Sequence, residues 1–151
     1  MAAGKVKLYE TAKYKIAQGI IDLDTHAFKV ALFLVTSNCD TLTHDELADL
    51  TNEHANANGY VTGGRDLDNV TVTNTSGVIK FDADNEVFTA SGGPITARFG
   101  VIYDDTVAGD PLVGVFLLDA TPADVTATDG NTLTLAWNAS GIFTLSGATS
   151  N

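Results

Sequence analysis

The stretch from Pro94 to Asp105 (PITARFGVIYDD) constrains the fold more than any other part of the chain. Its apolar residues alternate without interruption, so that every second side chain from Ile95 to Tyr103 falls on one face of a pleated strand. A Gly-Gly-Pro sequence marks its start and an Asp-Asp pair marks its end. The pattern predicts a central β-strand over residues 95–103, around which the other strands are arranged.

Other strand candidates follow one another at a spacing of roughly 8 to 12 residues, separated by turn signals such as Ser76-Gly77. They lie at residues 27–35, 67–74, 77–82, 86–89, 112–118, 132–137 and 141–145. The first of these is expected to be buried on both faces near its end. This spacing predicts a mainly β fold, an antiparallel β-sandwich or barrel with one or two short helices.

Residues 1–19 are predicted to form an N-terminal arm or a short helix. Apolar residues recur at helical spacing from Tyr9 to Ile16, and Gly19 stands where a helix would end. These features favour a helix over residues 8–18, although the residues just before Tyr9 alternate like a strand.

The segment from Thr43 to Leu50 (THDELADL) has the strongest helix signal. Thr43 and Glu46 fit a capping box, and Leu42 and Leu47 fit a hydrophobic staple. The sequence therefore predicts a short helix here, with Leu47 and Leu50 facing the core.

The chain has 151 residues and a single cysteine, Cys39. This length predicts one domain over residues 1–151, with a core that needs no cross-links, and one cysteine cannot form an intrachain disulfide. The sequence has no signal-peptide pattern and no apolar run approaching the ~18 residues of a membrane span. We therefore expect a soluble protein made inside the cell, with no membrane partner.

Charge is distributed unevenly in this acidic chain, whose formal net charge is -11. Residues 1–29 hold five basic against three acidic side chains, a net +2, and the remainder holds three basic against sixteen acidic, a net -13. The acidic balance argues against nucleic acid as a partner, because phosphate contacts require a basic surface. The basic leader can dock on a complementary acidic surface, or its lysines can simply solvate the polar face of a helix.

No motif in the sequence specifies a reaction. Gly59 and Gly64 have the spacing of a phosphate-binding loop, but Arg65-Asp66 replaces the lysine and hydroxyl residues that such a loop needs. Cys39 has no histidine at a recognisable family spacing, and no G-x-S-x-G elbow occurs. We predict that the protein is not an enzyme and has no cofactor.

Acidic side chains leave weaker alternatives open. The segment from His44 to His54 combines histidines and carboxylates, but its two histidines are ten residues apart rather than four. Asp82, Asp84 and Glu86 are the best calcium candidates, although no EF-hand loop follows them. Two facing carboxylates could also hydrolyse a glycoside. The prediction remains that there is no metal site and no catalytic site.

Three other side chains stand out. Arg98 lies within the most apolar strand, so it is expected to pair with Asp104 or with a carboxylate on a neighbouring strand, or to face a subunit interface. Trp137 and Tyr60 could stack on a ligand, but packing in the core or an interface is the favoured interpretation for Trp137.

Several short blocks, in order along nearly the whole chain, resemble a family of small structural proteins of tailed bacteriophages. The blocks are GKVKLY, IDLD followed by FKVALF, THDELADLTNE, GYVTGGRDL, NVTVT, ITARFGVIYDD and TLTLAWNASGIFTLS. The chain departs from the family pattern around HANANGY and at VFLLDATPADV. The resemblance implies a virion component, a head decoration (cement) protein, with no enzymatic residues to carry over.

We therefore expect a capsid decoration protein that stabilises the head exterior of a phage and is synthesised in the cytoplasm of the bacterial host. Its partners would be the major capsid protein and further copies of itself, as a trimer at threefold or quasi-threefold points of the lattice. The candidate docking or interface residues are Lys5, Lys7, Lys13, Lys15 and Arg98. The alternatives are a receptor- or carbohydrate-binding virion module and a structural component of the tail or neck.

Overall fold

The computed structural model describes residues 3–147, and over this range the chain is mainly β, as predicted. The elements follow in the order β1 (Lys7–Leu8), α1 (Glu10–Ala17), β2 (Phe28–Phe33), β3 (Arg65–Asp66), β4 (Thr71–Thr75), β5 (Val78–Asp82), β6 (Glu86–Thr89), β7 (Ile95–Ala97), β8 (Phe99–Asp104), β9 (Leu112–Leu117), β10 (Val125–Ala127), β11 (Thr132–Leu135) and β12 (Phe143–Ser146). One turn of 3-10 helix, Leu47–Asp49, lies between β2 and β3.

Five strands form an antiparallel sheet in the order β1-β9-β8-β2-β3, and the others form smaller antiparallel sheets, β12-β5-β4, β10-β7 and β11-β6. The large sheet is buried on both faces. On one face Val30, Leu32 and Ile102 join the main core with side chains of the smaller sheets. On the other face Ala31 and Val101 pack against α1 and the loop after β2. The fold is therefore sandwich-like, and β2 is buried on both faces as predicted.

The predicted central strand over residues 95–103 is two strands in different sheets, so the single-strand prediction is wrong. The chain bends at Arg98, whose N–H donates to the carbonyl of Phe33 and whose carbonyl accepts from the N–H of Leu118. Before the bend β7 pairs with β10, and after it β8 pairs with β2 and β9. Both strands are largely buried, so both consist mainly of apolar residues. The apolar alternation in the sequence therefore continues across the bend without a visible break.

The helix predicted over residues 8–18 is present as α1, and the strand-like residues before it form β1. Gly19 ends the helix with a φ of 71°. Its N–H donates to the carbonyl of Ile16, and the N–H of Ile20 donates to that of Lys15, which are the two bonds of a Schellman motif. Because β1 pairs with β9 and Tyr9 is fully buried, this segment is part of the folded body and not a detached arm.

The second predicted helix, over Thr43–Leu50, is wrong except for the single 3-10 turn. Its backbone groups bond elsewhere, because the N–H of Leu47 donates to the carbonyl of Asp110 and the carbonyl of Asp45 accepts from the N–H of Leu112. The N-cap of the turn is Glu46, and the carboxylate of the N3 residue, Asp49, accepts from the backbone N–H groups of Asp45 and Glu46. Leu47 and Leu50 are partly buried against the core, as expected.

Most of the remaining strand predictions are confirmed. Those at residues 77–82, 86–89, 112–118, 132–137 and 141–145 correspond to β5, β6, β9, β11 and β12. The strand predicted at 67–74 begins only at Thr71, because a turn with Asn69 at a φ of 51° precedes it. The sequence did not reveal β3 and β10, which have two and three residues and so show almost no alternation.

Candidate docking surface

Three of the five candidate docking residues are exposed cations on one structural unit. Lys5 and Lys7 lie on the outer edge of the large sheet, and Lys13 lies on the solvent side of α1. The unit is fixed in place, because the N–H of Gly4 donates to the carbonyl of Leu117 and the N–H of Tyr9 donates to that of Val113. The lysines therefore project from a rigid base, which lowers the entropy lost when they bind a partner.

The other two candidates, Lys15 and Arg98, are in ion pairs within the chain. The Nζ atom of Lys15 lies 2.6 Å from Oδ1 of Asp45. The Nε atom of Arg98 lies 2.8 Å from Oδ1 of Asp124, just before β10. Arg98 therefore does not pair with Asp104. Its partner is a carboxylate next to β10, the strand that pairs with β7, which agrees with the expected pairing to a neighbouring strand. Both cations are therefore already paired with a carboxylate of the same chain.

Beside Lys5 and Lys7 is an apolar groove of about 270 Å³. Its apolar lining includes Phe99, Val115 and Leu117, whose side chains lie on the face of the large sheet that α1 covers farther along, and one acidic residue, Asp40, also borders it. Phe99 and Leu117 remain partly exposed. An apolar groove with cations at its rim can bury an apolar side chain of a partner while the lysines pair with acidic groups around it.

A wider groove, of about 790 Å³, lies on the other side of the N-terminal segment, between residues 3–6 and residues 136–144. Trp137 forms part of its wall. The indole packs edge-on against Phe116 with ring centroids 5.4 Å apart, and its Nε1–H donates to the carbonyl of Asp84 over 2.9 Å. Trp137 is thus a core-packing residue, in line with the favoured interpretation.

Tyr60 is no ligand platform, because its side chain is 2% exposed. Its hydroxyl donates to Glu53 over 2.6 Å and accepts from the N–H of Leu32 over 3.0 Å. Glu53 also accepts from the N–H of Gly63, so this carboxylate holds the loop before β3 against β2. The stacking interpretation of Tyr60 is therefore wrong.

The carboxylates considered for metal binding serve separate structural contacts. Asp82 pairs with Lys80 over 3.0 Å, and Asp84 accepts from the Asn69 amide over 2.7 Å. Glu86 is buried and accepts from the N–H of Asp68. Within residues 3–147 no group of three or more histidine, cysteine or carboxylate side chains is placed to hold a metal ion.

Cys39 is poorly suited to nucleophilic chemistry. It is fully buried, and burial raises the pKa of its thiol to about 11. A thiol with such a pKa remains protonated near neutral pH, and the thiolate is the nucleophilic form.

A partly buried polar contact between Asp104 and His26 was not predicted from the sequence. Asp104 is fully buried at the end of β8, and its Oδ2 atom lies 2.6 Å from Nδ1 of His26. Its other oxygen accepts from the backbone N–H groups of Thr106 and Val107. The only sequence signal was an aspartate followed two residues later by threonine after an apolar strand, which is a common turn pattern. The contact joins the end of β8 to the loop before β2.

Comparison of the chain with protein-family models, curated proteins and solved structures gives no significant match. Over residues 3–147 the structure contains no helix whose length and apolar character would let it cross a membrane.

Proposed function

We propose that this protein is a structural component of a tailed-phage virion that decorates the head exterior and stabilises the capsid. The observation that carries the proposal is the placement of Lys5 and Lys7 beside an apolar groove, with Lys13 exposed on the same unit, in a chain whose remaining residues are strongly acidic. The resemblance of the sequence blocks to phage structural proteins supplies the biological setting, as an argument by analogy.

The partner in this proposal is the major capsid protein. An apolar side chain of the capsid surface enters the groove beside Phe99 and Leu117, and capsid carboxylates pair with Lys5 and Lys7. The acidic body faces outward, away from the lattice. Each contact can be weak, because copies that also contact one another on a lattice bind with avidity.

The carbohydrate-binding alternative receives little support from the surface. Glycan-binding modules usually present exposed aromatic rings, and Tyr14, at 66% exposure, is the one aromatic among the exposed large hydrophobic side chains in the described part of the chain. One isolated ring on α1 makes no platform. The second alternative, a tail or neck component, would use the same surface on a different partner protein. The binding experiment below distinguishes it from the head location.

Co-sedimentation of purified protein with undecorated phage heads tests the proposal. The wild type is expected to pellet with heads in a saturable, salt-sensitive manner, because the lysines are exposed. Lys7→Glu should weaken this binding at least about tenfold, which corresponds to 1.4 kcal/mol. Lys80→Glu makes the same charge change on β5, away from the groove, and should bind like the wild type.

Two results would contradict the proposal. One is that the wild type does not bind heads under conditions in which it is folded. The other is equal loss of binding by both variants, which would mean that net charge and not this surface governs attachment. Binding to tails alone, or saturable binding to host glycans, would favour one of the alternatives.

A further inference from the structure

The strand β4 is an open sheet edge without the features that usually protect such edges. It ends the β12-β5-β4 sheet, and Thr71, Thr73, Asn74 and Thr75 are exposed. Its five residues, TVTNT, include no charged residue and no proline, and its pairing with β5 is regular. Edge strands normally avoid pairing with other chains by being short, charged or bulged.

The two edges of the large sheet show the contrast. Both β1 and β3 have only two residues, and they carry Lys7 and the pair Arg65 and Asp66, respectively. At five residues, β4 is thus a longer edge than β1 or β3, and unlike them it carries no charge. Residues 69–79 contain no charged side chain at all.

The turn after β4 determines which backbone groups point outward. Ser76 and Gly77 have φ values of 52° and 84°, as in a two-residue type I′ hairpin. In such a hairpin the flanking residues, Thr75 and Val78, exchange hydrogen bonds, and every second pair along the ladder does the same. Thr71 and Thr73 therefore also bond to β5. The N–H and C=O groups of the intervening residues, Val72 and Asn74, point to the open side.

We propose that β4 pairs with β4 of a second copy of this chain, in antiparallel orientation about a two-fold axis at Thr73. In this register Val72 of one copy and Asn74 of the other exchange backbone hydrogen bonds, twice by symmetry, so the outward groups are satisfied. Thr73 faces its own counterpart in a non-hydrogen-bonded pair, with Cα atoms about 4.5 Å apart. Thr71 faces Thr75 of the other copy, and threonine pairs of this kind are favourable across strands.

A second copy fits this edge because the uncharged strand TVTNT can pair with itself in the register given above. Two chains that each carry a net charge of -11 repel one another over most of their surfaces. The β4 edge lets them approach without placing like charges together, and the nearest charged side chains on β5, Lys80 and Asp82, neutralise each other over 3.0 Å. The contact continues the three-stranded sheet into a six-stranded one across the two copies.

This contact is two-fold and gives a dimer, whereas the family resemblance implied a trimer. A single strand pair buries less than the ~1,200 Å² of a stable interface, so the association is weak in solution and grows with protein concentration. It does not require the proposed binding to phage heads, and it is tested on the purified protein alone.

Analytical ultracentrifugation over a concentration series tests the pairing. The average mass of the wild type is expected to rise from monomer towards dimer, and Thr73→Lys should remain a monomer because it places two like charges at the axis. Thr134→Lys adds the same charge to an exposed threonine on β11 and should associate like the wild type. A wild type that stays monomeric at every concentration, or a Thr73→Lys variant that associates like the wild type, would overturn the proposal.

Cysteine substitution tests the register. Under mild oxidation Thr73→Cys should form a disulfide-linked dimer, because the paired Cα atoms lie within disulfide range. Thr75→Cys should remain mostly monomeric, because its two copies lie about 13 Å apart in this register, four residues at about 3.3 Å each. Equal cross-linking of the two variants, or none in either while circular dichroism shows both folded, would mean that this pairing does not form.

Discussion

The phenol of Tyr9 donates a hydrogen bond of 2.5 Å to the backbone carbonyl of Cys39, and both residues are fully buried. The bond joins the junction of β1 and α1 to the loop after β2, thirty residues away. Burial also raises the pKa of Tyr9, so the phenol keeps the proton that it donates. The basic N-terminal unit is therefore held by the core, and the docking surface that we propose is rigid.

Replacement of Tyr9 by phenylalanine measures how much this hydrogen bond contributes to the stability of the fold. Tyr9→Phe leaves the buried carbonyl of Cys39 without its donor, which is expected to lower the free energy of unfolding by about 1–3 kcal/mol. Tyr14→Phe, on the exposed side of the same helix, should change it by no more than about 0.5 kcal/mol. Urea denaturation provides both values. Equal effects of the two substitutions would show that the bond contributes nothing to stability.

Gly64 is the position where a side chain is least tolerated. Its φ is +78°, and a Cβ atom there would lie 2.0 Å from the carbonyl oxygen of Val30 in β2. Gly64→Ala is expected to destabilise the protein by more than about 4 kcal/mol, because backbone must move. Gly77→Ala has a similar φ of +84° but meets nothing within 4 Å, so it should cost only about 1–2 kcal/mol. Similar melting temperatures for the two variants would contradict this packing.

The ion pair of Arg98 and Asp124 lies at the surface, since Asp124 is 44% exposed. Such pairs contribute about 0–1 kcal/mol, so Arg98→Ala should fold normally and lose no more than that. A double-mutant cycle with Asp124→Ala, followed by thermal unfolding, isolates the pair. A coupling energy well above this range, or an insoluble Arg98→Ala variant, would show that Arg98 supports the bend between β7 and β8 more than the geometry indicates.

Asp45 links stability to pH. The Lys15 ammonium lowers the pKa of the Asp45 carboxyl below its ordinary value of 3.8. A lowered pKa in the folded state adds stability above the ordinary value and loses it as the pH falls through the folded-state value. Asp45→Asn should therefore be less stable than the wild type at pH 7, and the difference should shrink to near zero in strong acid. A difference that stays constant from neutral pH to acid would rule out this linkage.

A strand was predictable from the sequence where the whole segment belongs to a single sheet. In β2, β6 and β9 the alternation of side chains and the flanking turns determined the element within one or two residues. The bend at Arg98 was not visible, because a strand that passes from one sheet to another keeps the same apolar alternation on both sides. The predicted helix after Thr43 failed because backbone bonds to residues 110 and 112, distant in sequence, replaced the local ones.

The candidate site was predictable only in part, for similar reasons. Composition revealed the basic leader, and Lys5 and Lys7 do lie together at one groove. The apolar part of that groove comes from Phe99 and Leu117, about a hundred residues later, and no local pattern links them to the lysines. The partners of Lys15 and Arg98 are likewise set by tertiary packing, so the sequence could not show which cations remain free to dock.

Cryo-electron microscopy of undecorated phage heads incubated with the purified protein tests the central claim most directly. Our account predicts ordered density on the outer surface of the head, oriented so that β1, α1 and the groove beside Phe99 contact the major capsid protein and the acidic body faces solvent. Lys7→Glu should leave those positions empty, and Lys80→Glu should fill them. Density confined to the tail or neck, or head-bound protein with this groove facing solvent, would contradict the account.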